Sequence, residues 1–522
     1  MTCRCILLSI FCATSCATAS ATQLGFNAFN LAQQYLGVTS GGDGGERYRE
    51  VTRAMAERAI ADAQEAGARF LRVAASGHLP STHGQRSDLD LWMKQPGAYW
   101  AAMDAMVAEA GRHRLQLVLT LLWNIRQFPA MVGDSVRDLV VEPESASAQL
   151  AARYVTELVA RYKGRPEILF YELSNELNLW ADLDHVGRCR RRGGAGTGQG
   201  AAGSPEAAPD CHIEGNFSTD EMIAFGQRIQ RLVHRVDPKA RMASGHSAPR
   251  RAAEHIRAKP EWVTGDTDFR TDTREQFERN LGDIHTGFDI VSVHVYPDIE
   301  NARFGNEDRS NLDTLPAAMK VARAVGKPLY LGEFGDPDGQ SEPPSSFTSR
   351  MLGRIGDLKP EYASPWVWEF YQDTTYRTRD GESSRSSLEP GLTDATIGRF
   401  RALSRQPEPA ASPASKAVPS LRLVLSWPLR CTRIERAGTV AALASAADGV
   451  RWVRFYLDNR LLAQRDAWPY SATLDPAQAD PGGHLLRAVV SDKQGRQAER
   501  AVPVVVGDGP SDACPQVFPE PR

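Results

Sequence analysis

From Thr22 to about Ser404 one unit recurs: an amphipathic stretch with helical spacing, then a glycine, then a short apolar run of strand character. Residues 51–66 lead through Gly67 to 70–73, and 101–110 through Gly111 to 115–122. Residues 150–163 lead through Gly164 to 168–173, and 316–325 through Gly326 to 329–331. Glycine is the usual residue just past a helix end. Helices alternating with strands imply parallel strand–helix–strand units. Four further runs, 24–27, 242–245, 290–293 and 366–368, bring the expected strands to eight. Eight such units with long connections predict an α/β fold, a (β/α)8 TIM barrel over 22–404, rather than an open doubly wound sheet.

A chain of 522 residues exceeds one compact core. Residues 405–420 are rich in Pro, Ala and Ser and read as a semi-rigid linker. Beyond them the rhythm changes to period two: Val453, Phe455 and Leu457 alternate with Arg454 and Tyr456. Asp458-Asn459 supplies a turn and 485–490 a further strand, which predicts a small all-β sandwich over 421–522.

The 61 basic and 64 acidic residues nearly cancel, so neither nucleic acid nor an anionic membrane is an expected partner. Residues 1–21 carry Arg4, an apolar run around Ile6 to Phe11, and small residues near Ala19 and Ala21. That layout predicts a signal peptide and a secreted protein, extracellular or periplasmic. No later stretch is long and apolar enough to span a bilayer. Without the leader, Cys189, Cys211, Cys431 and Cys514 remain. Three pairings are possible, and proximity favours Cys189–Cys211 with Cys431–Cys514. There is no CxxC spacing and no nearby histidine pair, so no metal site is expected. Residues 188–210 read as an irregular loop; its Gly198-Gln-Gly200-Ala-Ala-Gly203 spells a dinucleotide fingerprint, but no strand precedes it. Asn216-Phe-Ser218 matches the glycosylation pattern.

Two apolar runs end on carboxylates. Ile168-Leu-Phe-Tyr-Glu-Leu-Ser-Asn-Glu-Leu-Asn178 stops on Asn175-Glu176, and Pro328-Leu-Tyr-Leu-Gly-Glu-Phe-Gly335 on Glu333. Carboxylates do not belong inside doubly buried strands. At strand ends they stand where such barrels keep reactive groups, and a pair of them is what glycosidic bond hydrolysis requires. Glu172, four residues before Glu176 on the same strand and so too deep, reads as structural, and Asp336 falls beyond the strand end.

These residues, in barrel order, make the chain resemble glycoside hydrolase clan A, most closely family 5, the cellulase and β-mannanase type. The resemblance covers the N-terminal three-quarters of the mature chain. It implies Glu176 as acid/base and Glu333 as nucleophile. It further implies Arg72 and Tyr296 beside the nucleophile, His294 beside the acid/base, Asn175 on the sugar 2-hydroxyl, and Trp368 as the aromatic floor of the sugar site. Such a site takes a polysaccharide or oligosaccharide, needs no cofactor, and retains the anomeric configuration. The acid is expected to have a raised pKa. The chain departs from the family where Leu177-Asn178 follow Glu176 in place of proline, and where Trp123-Asn124 stand in place of a histidine; the sugar therefore stays open between mannan and glucan. Trp123, Asn124, Trp180, His246 and Trp366 are candidate subsite walls or packing residues. An exo-acting glycosidase and a non-catalytic carbohydrate-binding protein are the alternatives. The segment from Trp452 through Trp468-Pro-Tyr470 to Asp492 resembles bacterial immunoglobulin-like modules of secreted carbohydrate enzymes, with Trp452, Trp468 and Tyr470 as a potential sugar platform.

Overall fold

A computed structural model describes residues 22–37, 46–77, 88–194, 211–264, 267–297, 302–305, 310–335, 347–365, 394–404, 421–427, 432–446, 449–467 and 470–507. Seven of the expected runs coincide with strands, β1 (Gln23–Asn27), β2 (Phe70–Ala74), β3 (Gln116–Leu122), β4 (Ile168–Ser174), β5 (Met242–Ala243), β6 (Val291–Val295) and β7 (Leu329–Phe334), and an eighth strand is β8 (Tyr362–Ala363). Their order is β5-β4-β3-β2-β1-β8-β7-β6, and every pairing is parallel. A single parallel bridge, Ala243–Ile290, joins the two edges and closes the sheet into the expected (β/α)8 barrel.

Alternation along each strand separates two cores. Phe70, Val118, Phe170, Ala243, Ile290, Tyr330 and Tyr362 point inward and fill the lower barrel, where the Phe170 ring meets Tyr330 and Tyr362 edge-on at 5.2 and 5.3 Å. Their neighbours Leu71, Val73, Leu117, Leu119, Tyr171, Leu173 and Leu331 point outward into the larger core beneath the helices. Each fully buried large side chain contributes about 1.5–3 kcal/mol relative to exposure. Two residues above the aromatic layer the inward positions turn polar, with Arg72, Thr120 and Glu172 all wholly buried. That second layer is the floor of the site.

The covering helices are set by caps and apolar faces. In Ala146–Tyr162 the Ser145 side chain accepts from the Ala148 N–H, and Ala151, Tyr154, Val155, Leu158 and Val159 make the buried face. In Thr219–Val236, Ser218 and Glu221 form a capping box above Met222, Phe225, Ile229 and Val233. Three expectations need correction. Gly111 does not end a helix: Pro96–Arg112 runs through it, and Arg114 takes the left-handed conformation instead. Residues 188–194, read as loop, belong to the helix His185–Gly194. The described part of the eighth strand is Tyr362–Ala363, earlier than the 366–368 expected; a strand of two paired residues is too short to leave a periodic signal. Trp366, Trp368, Asp336, Gly198 to Gly203, the leader and the linker lie outside the described residues.

Cys189 and Cys211 form a disulfide with Cα atoms 5.8 Å apart, while Cys431 and Cys514 lie outside the described residues. The Asn216 side-chain amide donates to Asp184 and its carbonyl accepts from the Val186 N–H, so the glycosylation motif is engaged in local structure.

The C-terminal part is all β. A five-stranded sheet, ordered β10 (Thr432–Ile434), β16 (Gln497–Val506), β15 (Gly482–Asp492), β12 (Val450–Leu457) and β13 (Arg460–Arg465), shares one core with a three-stranded sheet of β14 (Ser471–Leu474), β11 (Gly438–Ala446) and β9 (Leu421–Trp427). Val453, Phe455 and Leu457 face that core. Trp452 faces the other way, with the Arg454 guanidinium 4.2 Å from its ring centre, whereas Tyr470 packs toward the core. The two therefore do not share a platform, and Trp468 lies outside the described residues.

Candidate active site

Arg72 is the hub. Its side chain is wholly buried and reaches four others from the middle of β2. Nε donates to Glu172 at 2.7 Å, Nη2 to Asn175 at 3.0 Å, and Nη1 to Asn27 at 3.3 Å and to Glu333 in a close ion pair. Burying a cation costs several kcal/mol, and only close counter-charges with satisfied hydrogen bonds offset that. Burial works against the Arg72 charge, but Glu172 and Glu333 outweigh it and hold its pKa above the usual arginine value. Thr120 donates to the same Glu172 oxygen at 2.6 Å. The Arg72 guanidinium also lies 4.9 Å from the Trp123 ring centre. Asn27 is fixed in turn by donating to the carbonyls of Gly332, Ser364 and Pro365.

Glu333 reaches this hub because β7 breaks its alternation. Val293 pairs with Leu331, but His294 pairs with Glu333, so the register slips by one residue at Gly332. Tyr330 already points inward; without the slip, Gly332 and Phe334 would share its face and Glu333 would point out. Such irregularities re-aim side chains beside active sites. A Cβ on Gly332 would also come within 2.8 Å of His294 Nε2. Tyr296 donates its hydroxyl to Glu333 at 2.8 Å. Burial first, and then the Glu333 charge, push the Tyr296 pKa well above its usual value, so the phenol keeps its proton.

Glu176 follows β4 in a left-handed conformation, φ 52° and ψ 34°, with its N–H bonded to the Gly245 carbonyl at 2.8 Å. Its side chain is 25 % exposed, the most open of the charged groups here. His294 Nδ1 lies between the two acids, 3.0 Å from Glu176 Oε1 and 3.4 Å from Glu333 Oε1. One oxygen of each carboxylate and this nitrogen lie within 4.8 Å of one another. That spacing would also suit a small cation, although Arg72 already pairs with Glu333 there. The pKa expectation for Glu176 is reversed. Burial raises it, but the hydrogen bond and charge of His294, a bond from Ser247 and the Arg72 charge together bring it below the usual glutamate value.

The structure thus brings Arg72, Asn175, Glu176, His294, Tyr296 and Glu333 into one cluster, while Trp368 lies outside the described residues. A pair of carboxylates this close, one clamped and one open, can perform a displacement in two steps. No family model matches the chain. A probable mannan endo-1,4-β-mannosidase F of Neosartorya fischeri is 21 % identical over 299 residues, 56 % of this chain and 53 % of that protein. The chain is similar to β-mannanases. It spans about half the length of that relative. Among solved structures, the endo-β-1,4-mannanase of Thermotoga petrophila is 14 % identical, with 94 % of this chain and 98 % of that one covered and a TM-score of 0.45. A glycoside hydrolase family 5 mannosidase of Rhizomucor miehei is 15 % identical, with 74 % and 92 % covered and a TM-score of 0.44.

Sequence reasoning missed Asn27 and Thr120 and set Glu172 apart as structural; all three contact Arg72 or its partner across the barrel floor. The inward alternation from Phe70, Val118 and Phe170 to Arg72, Thr120 and Glu172 was the available signal. Of the candidate walls, His246 is fully buried, packed near His285 and Phe288, and so lines no cleft. Trp180 is stacked on His185 at 4.8 Å and has the Arg126 guanidinium 4.3 Å from its ring centre, so protein groups already pack on the ring. Asn124 accepts from the Arg126 N–H, and Trp123 stays beside Arg72.

Proposed function

We propose that this protein is a retaining glycoside hydrolase that cleaves β-1,4-linked polysaccharide internally, with mannan as the first substrate to test. The observation that carries this reading is the pair Glu176 and Glu333, with oxygens within 4.8 Å and His294 between them. Retaining enzymes hold their carboxyls about 5–5.5 Å apart, too close to admit the water that inversion needs. Glu333, charge-paired with Arg72 and bonded by Tyr296, attacks the anomeric carbon as Glu176 gives its proton to the departing glycosidic oxygen. A covalent sugar ester on Glu333 results. Water then attacks that carbon, gives a proton back to Glu176, and frees Glu333 with the β configuration restored. Asn175, fixed by Arg72, is placed to hold the sugar 2-hydroxyl. The 21 % identical relative, named as a mannan endo-1,4-β-mannosidase, supports mannan over glucan. The leader-like N-terminus and the Cys189–Cys211 bond support export; among the described residues no helix is long and apolar enough to cross a membrane.

The test is reducing-end release from β-mannan, glucomannan, β-glucan, cellulose and xylan by wild type and Glu333→Ala, with NMR of the first product. We expect release from mannan, a β-anomeric product, and a loss in the variant of about a thousandfold or more, some 4 kcal/mol of transition-state stabilisation. An α-anomeric first product would remove the double displacement, and no release from any polymer would favour an exo-enzyme or a binding protein.

A further inference from the structure

Barrel strands hold one another by ladders of backbone bonds, yet β5 and β6 share one bridge, Ala243–Ile290. Past that bridge, apart from one backbone bond from the Ala248 N–H to the His294 carbonyl, side chains span the rest of this seam. Ser292 Oγ accepts from the N–H groups of Gly245 and His246 at 3.0 and 3.2 Å and lies 2.8 Å from Ser244 Oγ. Ser244 Oγ lies 2.9 Å from His285 Nε2, which also receives the Ser292 N–H at 3.0 Å. His285 Nδ1 lies 2.7 Å from the Leu281 carbonyl.

A carbonyl only accepts, so Nδ1 carries the hydrogen and Nε2 is the acceptor. Nε2 is shared by the Ser292 N–H and the Ser244 hydroxyl, and with the Ser244 proton so used the Ser292 hydroxyl donates to Ser244. The Ser292 lone pairs face the Gly245 and His246 N–H groups, the second of which is shared with Ser244 Oγ at 3.2 Å. Ser244, His285 and Ser292 are at most 1 % exposed. Burial holds the His285 pKa down at about 4, so the ring is neutral above that pH.

The far end of this chain of bonds is Glu176. Gly245, at φ 71°, gives its carbonyl to the Glu176 N–H at 2.8 Å. A Cβ on Gly245 would stand 1.9 Å from the Ser174 carbonyl oxygen and 2.7 Å from the Glu172 carboxyl carbon. The Gly245 peptide is thus pressed against β4, and its position sets the height of Glu176. We propose that Ser292, supported by Ser244 and His285, is a positioning residue that aligns Glu176 with the glycosidic oxygen through the Gly245 peptide. This rests on Glu176 being the proton donor.

A sugar alkoxide needs a proton to leave, whereas 2,4-dinitrophenolate leaves without one. Misplacing Glu176 therefore penalises only the first. Wild type, Ser292→Ala and Ser244→Ala would be assayed for kcat/KM on β-1,4-mannan and on 2,4-dinitrophenyl β-mannobioside, with melting temperatures alongside. For Ser292→Ala we expect kcat/KM on mannan to fall about tenfold or more while the activated substrate stays within about twofold. Ser244→Ala, which keeps the Gly245 bond, should show the same asymmetry more weakly; it also carries the test if Ser292→Ala does not fold. Equal losses on both substrates, or none on either, would overturn the proposal and leave the cluster as a stabiliser of the seam. A wild type inactive on both would overturn the functional reading itself, and the positioning role with it.

Discussion

His294 presents one nitrogen to two carboxylates, 3.0 Å from Glu176 and 3.4 Å from Glu333. It helps draw the Glu176 pKa below the usual glutamate value, against the effect of burial. Removing the imidazole in His294→Asn takes away a hydrogen bond that favours the carboxylate, so the Glu176 pKa is expected to rise. The alkaline limb of the kcat/KM–pH profile, where the donor loses its proton, is expected to move to higher pH, with a lower kcat because Glu176 loses an orienting bond. A limb that stays put or moves down would exclude His294 as the group that tunes Glu176. At this scale the sequence displayed Glu176, Glu333, Arg72, His294 and Tyr296, because charged or hydroxylated residues at the ends of apolar runs stand out. It hid Asn27 and Thr120. Their partners lie 45 and 52 positions away in the chain, and only barrel closure brings those atoms together.

At the scale of elements, short strands and irregular register carried what periodicity could not. β5 and β8 have two paired residues each, and the slip at Gly332 inverts the facing of Glu333. A pattern of apolar residues predicts a strand but not an extra residue within it. The connection after β4 also needs its own staple. The disulfide joins the helix His185–Gly194 to the turn Cys211–Ile213. His185 stacks on one side of Trp180, and Glu214, three residues past Cys211, pairs with the Arg126 that covers it too. Closing a segment of 22 residues is worth about 3 kcal/mol in chain entropy. The Cys189→Ser/Cys211→Ser double variant should lose stability of that order in denaturant unfolding. Reductant should destabilise wild type more than the variant, which keeps the expected Cys431–Cys514 pair; a variant as stable as wild type would show that the staple closes a segment already ordered in the unfolded chain.

For the whole molecule, the buried imidazole at the β5–β6 seam links barrel closure to pH. His285 is held at about 4 in the folded protein against a usual 6.5. Its neutral form is the one that fits, so this contribution is complete above pH 6.5 and is lost as pH falls toward 4, by about 3 kcal/mol. His246 is displaced in the same direction, by burial first and then by the neighbouring histidines. Thermal melts should show wild type losing stability between pH 6.5 and 4 more steeply than His285→Gln; parallel curves would remove His285 as the cause. The sequence by itself determined the class of fold, because repeated apolar runs separated by amphipathic stretches, seven of them matching strands, bury both faces of a parallel sheet only beneath helices. It also determined the period-two pattern of the C-terminal sandwich and the residue types at the strand ends. The tertiary structure alone decided which atoms meet: the slip that turns Glu333 inward, the glycine that lets β5 press against β4, and the downward pKa of Glu176. Those depend on distances across the barrel, and a linear pattern records which face a residue takes but not what stands opposite it.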